Sequence, residues 1–377
     1  MRIRAFEADD AERVAGLWQF WFRNKTLDPD QSLTDLVHRI YVQNPNNDPE
    51  VRSLVAEDDD GTFLGFLGVS VTPIRVNDRD DLVAGVFPSV LSPDAPTTVA
   101  AFLLRKLLAG PQALTFSDGG HAKFERIWEA LGGGIGAIQS TRWLKVLKPV
   151  ELAAALAARK RGSIRTIEPV LRPLTRMFDG IARRAMPARF TTGTLIDADH
   201  EWPKAVDTSV YTAEELTPAL LAGLGSQFNG RSKTFPIYSE EHATWQFTEM
   251  AKIRQQGEFR PRLVRSADGK PVGWFAYYLK EGGPSSVYAV EGLDKHYAAL
   301  LDVLFSEAEA AGALALTGRL EPRLRRLLRE RGAFTHNGGS LQMFHSKDKQ
   351  LMHEALLGHT RINRLQGENW YWWAISE

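Results

Sequence analysis

The sequence predicts a mixed α/β fold built twice along the chain, each copy a central mixed sheet flanked by helices. Its 377 residues exceed what one ordinary hydrophobic core supports, which favours two domains. The same order of elements recurs in both halves at an offset of about 200 residues, as expected of a repeated unit. Each half also carries a hairpin in which a glycine follows the turn and an aromatic residue follows that glycine.

Charge and cysteine content exclude several classes of function. Lysine plus arginine equals aspartate plus glutamate at 46 each, so net charge favours neither a polyanionic partner nor a membrane surface. The chain has no cysteine, which excludes disulfides, cysteine-ligated zinc and a thiol nucleophile. The spacing of His336 and His345 makes no metal site with a nearby carboxylate, so no metal is expected. Because the start is acidic and no long apolar span occurs, we expect a cytoplasmic protein.

The first copy is predicted to occupy residues 1–150. Hydrophobic periodicity, capping residues and turn signals divide it into alternating strands and helices. The predicted elements are a strand at 1–8, a helix capped by Asp9 or Asp10 and running through Trp21, a helix at 33–41, a hairpin at 52–67 with an Asp60–Gly61 turn, a strand at 82–91, a helix at 97–109, a strand at 113–116 and a helix at 121–131.

The second copy is predicted to occupy residues 191–377 and to repeat that order. Its elements are a strand at 194–196, a helix after a Thr212–Glu215 capping box, a helix at 240–253, a hairpin at 262–275 with an Asp268–Gly269 turn, a strand at 286–291, a helix at 294–311, a strand at 313–317 and a helix at 321–331. The aromatic run from Trp370 to Trp373 is predicted to form a terminal strand that buries half of its rings in the core.

Residues 151–190 are predicted to form a basic helical linker between the copies. Arginines and lysines at 159–189 alternate with apolar residues, which favours an amphipathic helix at 173–185. Such a helix could contact anionic lipid, a polyprenyl phosphate or a tRNA backbone. The favoured interpretation is an interdomain helix whose apolar stripe is packed and whose arginines are solvated. Membrane contact, if any, would be peripheral and through this segment.

Local motifs carry a resemblance to a known family. The opening Ile3-Arg4-Ala5-Phe6-Glu7-Ala8-Asp9-Asp10 and the late Trp128-Glu129-Ala130-Leu131-Gly132-Gly133, together with the element order, resemble the GNAT superfamily of N-acyltransferases. The segments Trp245-Gln246-Phe247 and Leu365-Gln366-Gly367-Glu368-Asn369-Trp370 resemble tandem members associated with cell-surface polysaccharide clusters. The resemblance implies transfer of an acyl group from acetyl-CoA or another acyl-CoA to an amine of a small molecule or polysaccharide precursor.

The resemblance also implies positions for the co-substrate. In that family a strand splays from its neighbour to pair with pantetheine, and the next helix presents its first N–H groups to the pyrophosphate. These positions fall on Val290, Gly292, Leu293 and Lys295 in the second copy, and on Thr97 and Thr98 in the first. The first loop, at 92–98, has two prolines, an acidic residue and no glycine, which makes it the poorer anion site.

Acid–base groups follow the same preference for the second copy. Glu291 lies where the family places a carboxylate base, whereas the first copy has only Ser89 there. In the family a tyrosine on the last helix protonates the departing thiolate. Its position falls on Trp128 in the first copy and on Leu328 in the second, and neither side chain can donate an acidic proton. Tyr288 and His296 flank the second site and are the candidate substitutes. The C-terminal domain is therefore predicted to be the catalytic one.

Two other classes of function stay open. The basic linker and the atypical phosphate loops also suit an aminoacyl-tRNA-dependent transferase resembling the FemABX group, the one interpretation in which nucleic acid is a partner. The missing tyrosines suit a degenerate, non-catalytic assembly or binding protein. Oligomeric state does not follow from the sequence.

Overall fold

The structure is a computed structural model that describes residues 1–120, 122–161, 206–230, 232–337, 340–367 and 370–375. Its strands are β1 (Arg2–Ala5), β2 (Leu54–Glu57), β3 (Phe63–Val76), β4 (Arg79–Leu91), β5 (Leu114–Gly120), β6 (Gly134–Ile135), β7 (Thr141–Val146), β8 (Thr212–Glu215), β9 (Thr234–Pro236), β10 (Glu258–Arg265), β11 (Pro271–Leu279), β12 (Pro284–Gly292), β13 (Ala315–Arg319), β14 (Phe334–Asn337) and β15 (Leu341–His345).

The α-helices are α1 (Ala11–Trp18), α2 (Gln31–Tyr41), α3 (Thr98–Leu108), α4 (Ala122–Ala130), α5 (Pro149–Arg161), α6 (Pro218–Leu224), α7 (Glu240–Lys252), α8 (Tyr297–Ala310), α9 (Arg325–Glu330), α10 (Lys349–Leu357) and α11 (Trp372–Ile375). Of the predicted linker 151–190, the described part ends with α5, and the amphipathic helix at 173–185 and the strand at 194–196 lie outside the described residues.

The chain forms two compact units, each assembled from separate stretches of sequence. The first unit comprises Met1–Ser140, Pro218–Gln255 and Gly339–Glu377. The second unit comprises Thr141–Thr217 and Gln256–Gly338. These units are discontinuous, unlike the contiguous domains 1–150 and 191–377 predicted from the repeat.

The first unit is built on a mixed sheet of eight described strands, in the order β1-β2-β3-β4-β5-β15-β6 with β9 added beside β3. β4 and β5 are parallel, and the other neighbours are antiparallel. One face packs against α3, whose Leu103, Leu104 and Leu107 join Val69 and Val86 in a buried cluster. A second buried cluster contains Phe116 and Phe344 together with Leu351 of α10.

The second unit is built on a mixed sheet of seven described strands, in the order β14-β7-β13-β12-β11-β10-β8. Its one parallel pair in the described part is β12 with β13. The helix α8 follows β12 and buries Leu300, Leu301 and Leu304. The mixed α/β fold predicted from the sequence is confirmed in both units.

Each sheet takes a strand from the other half of the sequence. β7 follows β6 directly in the chain, yet it pairs with β13 and β14 in the second unit. Conversely, β15 follows β14 and pairs with β5 and β6 in the first unit. The aromatic pair Phe116 and Phe344, with ring centroids 6.4 Å apart, is one contact this exchange creates in the first unit.

Turn and cap chemistry explains many element boundaries. Both predicted hairpins form, and their turn glycines Gly61 and Gly269 adopt positive φ angles of 80° and 77°. The Asp30 carboxylate caps α2 by accepting from the amide of Leu33, and Ser239 caps α7 by accepting from the amide of His242.

Two predictions are wrong. Thr212 and Glu215 do not cap a helix, because their segment is β8, which pairs with β10, and α6 begins only at Pro218. The last aromatic residues do not form a strand. Trp370 and Tyr371 are consecutive and both buried, which an alternating strand does not allow, and a helical turn, α11, follows them. Two of the four rings are buried, which is the predicted half, but they belong to neighbouring and not to alternate residues.

Within the described residues, no helix combines the length and the apolar character that a membrane span requires.

Candidate active site

A β-bulge bends the central strand of each unit at the same place in its fold. In the first unit Phe87 and Pro88 of β4 together oppose Gly68 of β3. In the second unit Tyr288 of β12 is the extra residue, since Ala276 and Tyr277 of β11 face its two neighbours. A bulge leaves its extra residue out of the ladder and bends the strand, and bulges are frequent beside active sites.

The bend separates each central strand from its parallel neighbour. Pairing of β4 with β5 ends at Gly85 and Phe116, although β4 continues to Leu91. Pairing of β12 with β13 likewise ends at Val287, although β12 continues to Gly292. In each unit the last residues of the central strand therefore extend past the parallel pairing, and we call this end of the strand the cleft. Such a position, followed by a helix, is where open α/β sheets bind ligands.

Helix α3 follows β4, and its first residues carry hydrogen-bond donors without partners in the described part of the chain. Thr97 and Thr98 are exposed. Neither their amides nor their hydroxyls form a hydrogen bond within the part of the chain that the structure describes. The first N–H groups of a helix carry partial positive charge and bind phosphates. This end of α3 is therefore a candidate anion site, despite the two prolines in the preceding loop.

An ion pair occupies the cleft of the second unit. The Arg323 Nη2 atom lies 2.6 Å from Oε1 of Glu291, and it also contacts Glu321. Burial by itself lowers the pKa of Arg323, but the neighbouring carboxylates outweigh it and raise the pKa above its usual value. The guanidinium also lies 5.7 Å from the ring centroid of Tyr297, whose hydroxyl is 3.4 Å from Oε2 of Glu291.

The similarity of this chain to known proteins is a similarity of fold. No protein-family model matches the chain, and no curated protein matches it either. A conserved protein of unknown function from Enterococcus faecalis V583, a probable N-acyltransferase, superposes with a TM-score of 0.54 at 10% identity, over 92% of this chain and 72% of that one. The fold is that of the GNAT N-acyltransferases.

Two further GNAT structures agree with this assignment. The GCN5-related N-acetyltransferase from Anabaena variabilis ATCC 29413 has a TM-score of 0.54 at 10% identity, over 92% of this chain and 73% of that one. The GCN5-related N-acetyltransferase from Kribbella flavida has a TM-score of 0.50 at 13% identity, over 92% and 70% respectively. The tandem GNAT-like layout predicted from the sequence is therefore supported by structure as well as by element order.

The predicted co-substrate positions of the second unit already have partners inside the protein. The carbonyl of Val290 lies 3.5 Å from Nη2 of Arg323. The amide of Gly292 lies 3.3 Å from the Tyr297 hydroxyl, and the amide of Leu293 donates to Val272 at 3.0 Å. Lys295 is exposed at the start of the helical segment. In the first unit, by contrast, Thr97 and Thr98 form no hydrogen bond through their amides or hydroxyls among the described residues.

The three predicted acid–base residues have different surroundings. Glu291 is buried against Arg323, as described above. Tyr288, the bulge residue, is also buried, with its ring 5.3 Å from that of Tyr278. His296 lies at the start of α8 with its Nδ1 atom 3.3 Å from the Tyr211 hydroxyl, and burial and then the charge of Lys295 lower its pKa.

Sequence reasoning missed the residues that contact the two bulged strands. Arg323 comes a few positions after β13, and Glu291 lies on β12, the parallel neighbour of β13. A cation at that position was the signal in the sequence that could have identified the pair. Tyr41 and Tyr371, whose hydroxyls lie at the bulge of β4, come from α2 and from the C-terminal segment. No local pattern links two residues so far apart in the chain.

Proposed function

We propose that this protein is an acyl-CoA-dependent N-acyltransferase that acts on the amine of a small molecule, with acyl-CoA held in the cleft of the first unit. The observation that carries this proposal is the combination of a bulged strand, β4, that outruns its parallel neighbour, with a helix whose first donors, at Thr97 and Thr98, are exposed and have no hydrogen-bond partner in the part of the chain that the structure describes. The GNAT-type fold of the chain supports the same reaction class.

The choice of the first unit reverses the preference drawn from the sequence. That preference rested on Glu291 as a general base and on the loop after β12. Glu291 is ion-paired with Arg323 at 2.6 Å, so its Oε1 atom is already engaged inside the protein. The loop's amides at Gly292 and Leu293 are hydrogen-bonded within the protein.

In the proposed reaction the acceptor nitrogen attacks the thioester carbonyl, the C–S bond breaks and CoA leaves as a thiolate. The nitrogen loses one proton and the thiolate gains one, so the products are an amide and CoA as its free thiol. Strand β4 beyond Gly85 supplies backbone groups for the pantetheine, and the start of α3 supplies donors for the pyrophosphate. Trp128 takes no part in proton transfer, since it is fully buried and its Nε1 donates to the carbonyl of Phe344 at 2.7 Å.

A carboxylate at the start of α3 tests this placement. The substitution Thr98→Asp adds a negative charge that favours the helix dipole, so the fold should be as stable as before or slightly more stable. The same charge repels a pyrophosphate, and we expect acyl-CoA affinity to fall by about tenfold or more in isothermal titration calorimetry. The matched control is Lys295→Glu in the second unit, which should leave affinity unchanged.

The outcomes separate the remaining classes of function. Affinity lost in Lys295→Glu and kept in Thr98→Asp would place the co-substrate in the second unit. No binding of acetyl-CoA or of longer acyl-CoAs to the intact protein would refute the proposal. In that case a salt-sensitive complex with aminoacyl-tRNA would favour the FemABX-like alternative, and no complex would favour a non-catalytic role.

A further inference from the structure

The carbonyl of Phe87 at the bulge of β4 accepts hydrogen bonds from two tyrosines. The Tyr41 hydroxyl donates to it at 2.8 Å and the Tyr371 hydroxyl at 3.0 Å. The two hydroxyl oxygens lie 3.4 Å apart. A bulge disrupts the regular ladder, and a backbone carbonyl removed from the ladder needs another donor when it is buried. The two phenols meet that need at the residue where β4 departs from regular pairing.

Both tyrosines are buried at this contact. Tyr41 and Tyr371 are 6% and 1% exposed, and their rings make an edge contact at 6.4 Å. Gly68, opposite the bulge on β3, leaves room for the arrangement. A Cβ atom there would lie 2.2 Å from the Tyr41 hydroxyl and 2.6 Å from the Phe87 carbonyl. The glycine, the bulge and the two phenols therefore form one packed arrangement.

We infer that Tyr41 and Tyr371 are positioning residues of the acyl-CoA cleft in the first unit, an inference that rests on the proposed function. They fix the direction of the Phe87 carbonyl and thereby the bend that carries β4 away from β5. Without them the bulge is free to shift along the strand, and the backbone groups beyond it lose the fixed geometry that the pantetheine requires. The effect on substrate passes through the backbone, since both side chains are buried.

This role makes the C-terminal segment part of the first unit's chemistry. Tyr371 lies more than three hundred residues after Tyr41, a separation of 330 positions, yet both act on one carbonyl. The ring of Phe87 itself contacts the rings of Tyr371 and Trp372, at centroid distances of 6.2 and 5.5 Å. We therefore expect the C-terminal segment, through Tyr371, to influence acyl-CoA binding as directly as α2 does through Tyr41.

Removal of single hydroxyls tests the inference. Tyr41→Phe and Tyr371→Phe each delete one donor and keep the ring, and each should weaken acyl-CoA binding by about threefold to tenfold. The double variant, which leaves the carbonyl without either donor, should lose more than the stronger single variant. The KM for acyl-CoA should rise while the KM for the amine stays unchanged. Tyr238→Phe is the control, since its hydroxyl accepts from Gln366 in the same unit at 3.2 Å.

Amide hydrogen exchange provides a second measurement that does not depend on ligand. In the double variant the amides of β4 beyond Gly85 should exchange faster than in the wild type, while those of β12 should not. If the wild type binds acyl-CoA and all three variants bind it within twofold, with unchanged exchange in β4, this inference is overturned and the proposed function stands. If the wild type binds no acyl-CoA, both are overturned.

Discussion

The ion pair of Arg323 with Glu291 allows a direct choice between a structural and a catalytic role for that glutamate. The two side chains are 18% and 7% exposed, so the substitution Arg323→Met leaves a carboxylate in a nearly dry site. Removing one partner of a buried pair costs about 3–5 kcal/mol of unfolding free energy. For a unit of this size that corresponds to a fall of about 10 °C in melting temperature.

The reverse substitution should be milder. In Glu291→Gln the guanidinium keeps its contact with Glu321 and can still bond the new amide oxygen, so we expect a loss of about 1–2 kcal/mol. Acyl-CoA turnover per folded molecule should be unchanged in both variants. The matched control is Arg265→Met, which breaks an exposed pair with Glu214 and should cost less than about 1 kcal/mol.

Urea unfolding and a steady-state assay of CoA release check these expectations together. Turnover abolished in Glu291→Gln, with stability intact, would refute the reasoning, because it would restore Glu291 as the general base and the second unit as the catalytic one. Stability unchanged in Arg323→Met would show that the pair is not buried in solution as the structure places it.

Two further predictions concern stability and assembly. Burial lowers the pKa of His242 to about 4, below its unfolded value of about 6.5, so the unfolded state binds the extra proton first and stability should fall by up to about 3 kcal/mol as pH drops between these values. In His242→Phe the urea midpoint of unfolding should lose that part of its pH dependence. Midpoints that fall equally with pH in the variant and the wild type would contradict this prediction. A fragment of residues 1–150 lacks β15 and should show no cooperative unfolding by circular dichroism, whereas a sharp transition would contradict the strand exchange.

Local features of the fold could be predicted because their causes are local. The Asp60–Gly61 and Asp268–Gly269 turns fix both hairpins through the positive φ that glycine tolerates. Alternation and periodicity place β4, β12 and their following helices within a few residues. The Thr212–Glu215 pattern fails because pairing with β10 outweighs a capping preference worth about 1 kcal/mol.

The site could be predicted only in part. Its position at the end of the central strand follows from the element order, and Glu291 was predicted there as a carboxylate base. Its partner Arg323 and the tyrosines at Phe87 depend on contacts between segments distant in sequence. A single sequence contains no periodicity that reports such contacts. The exchange of β7 and β15 was missed for the same reason.

The strand exchange has a consequence for how the protein is made. β5 leaves the ribosome long before β15, its antiparallel neighbour, since more than 200 residues separate them. At about 5–20 residues per second, β5 waits on the order of tens of seconds for that neighbour to be synthesised. During that interval Phe116 has no Phe344 to pack against. The nascent chain is therefore expected to depend on chaperones until β15 has been synthesised, and neither half of this sequence is expected to yield a folded product alone.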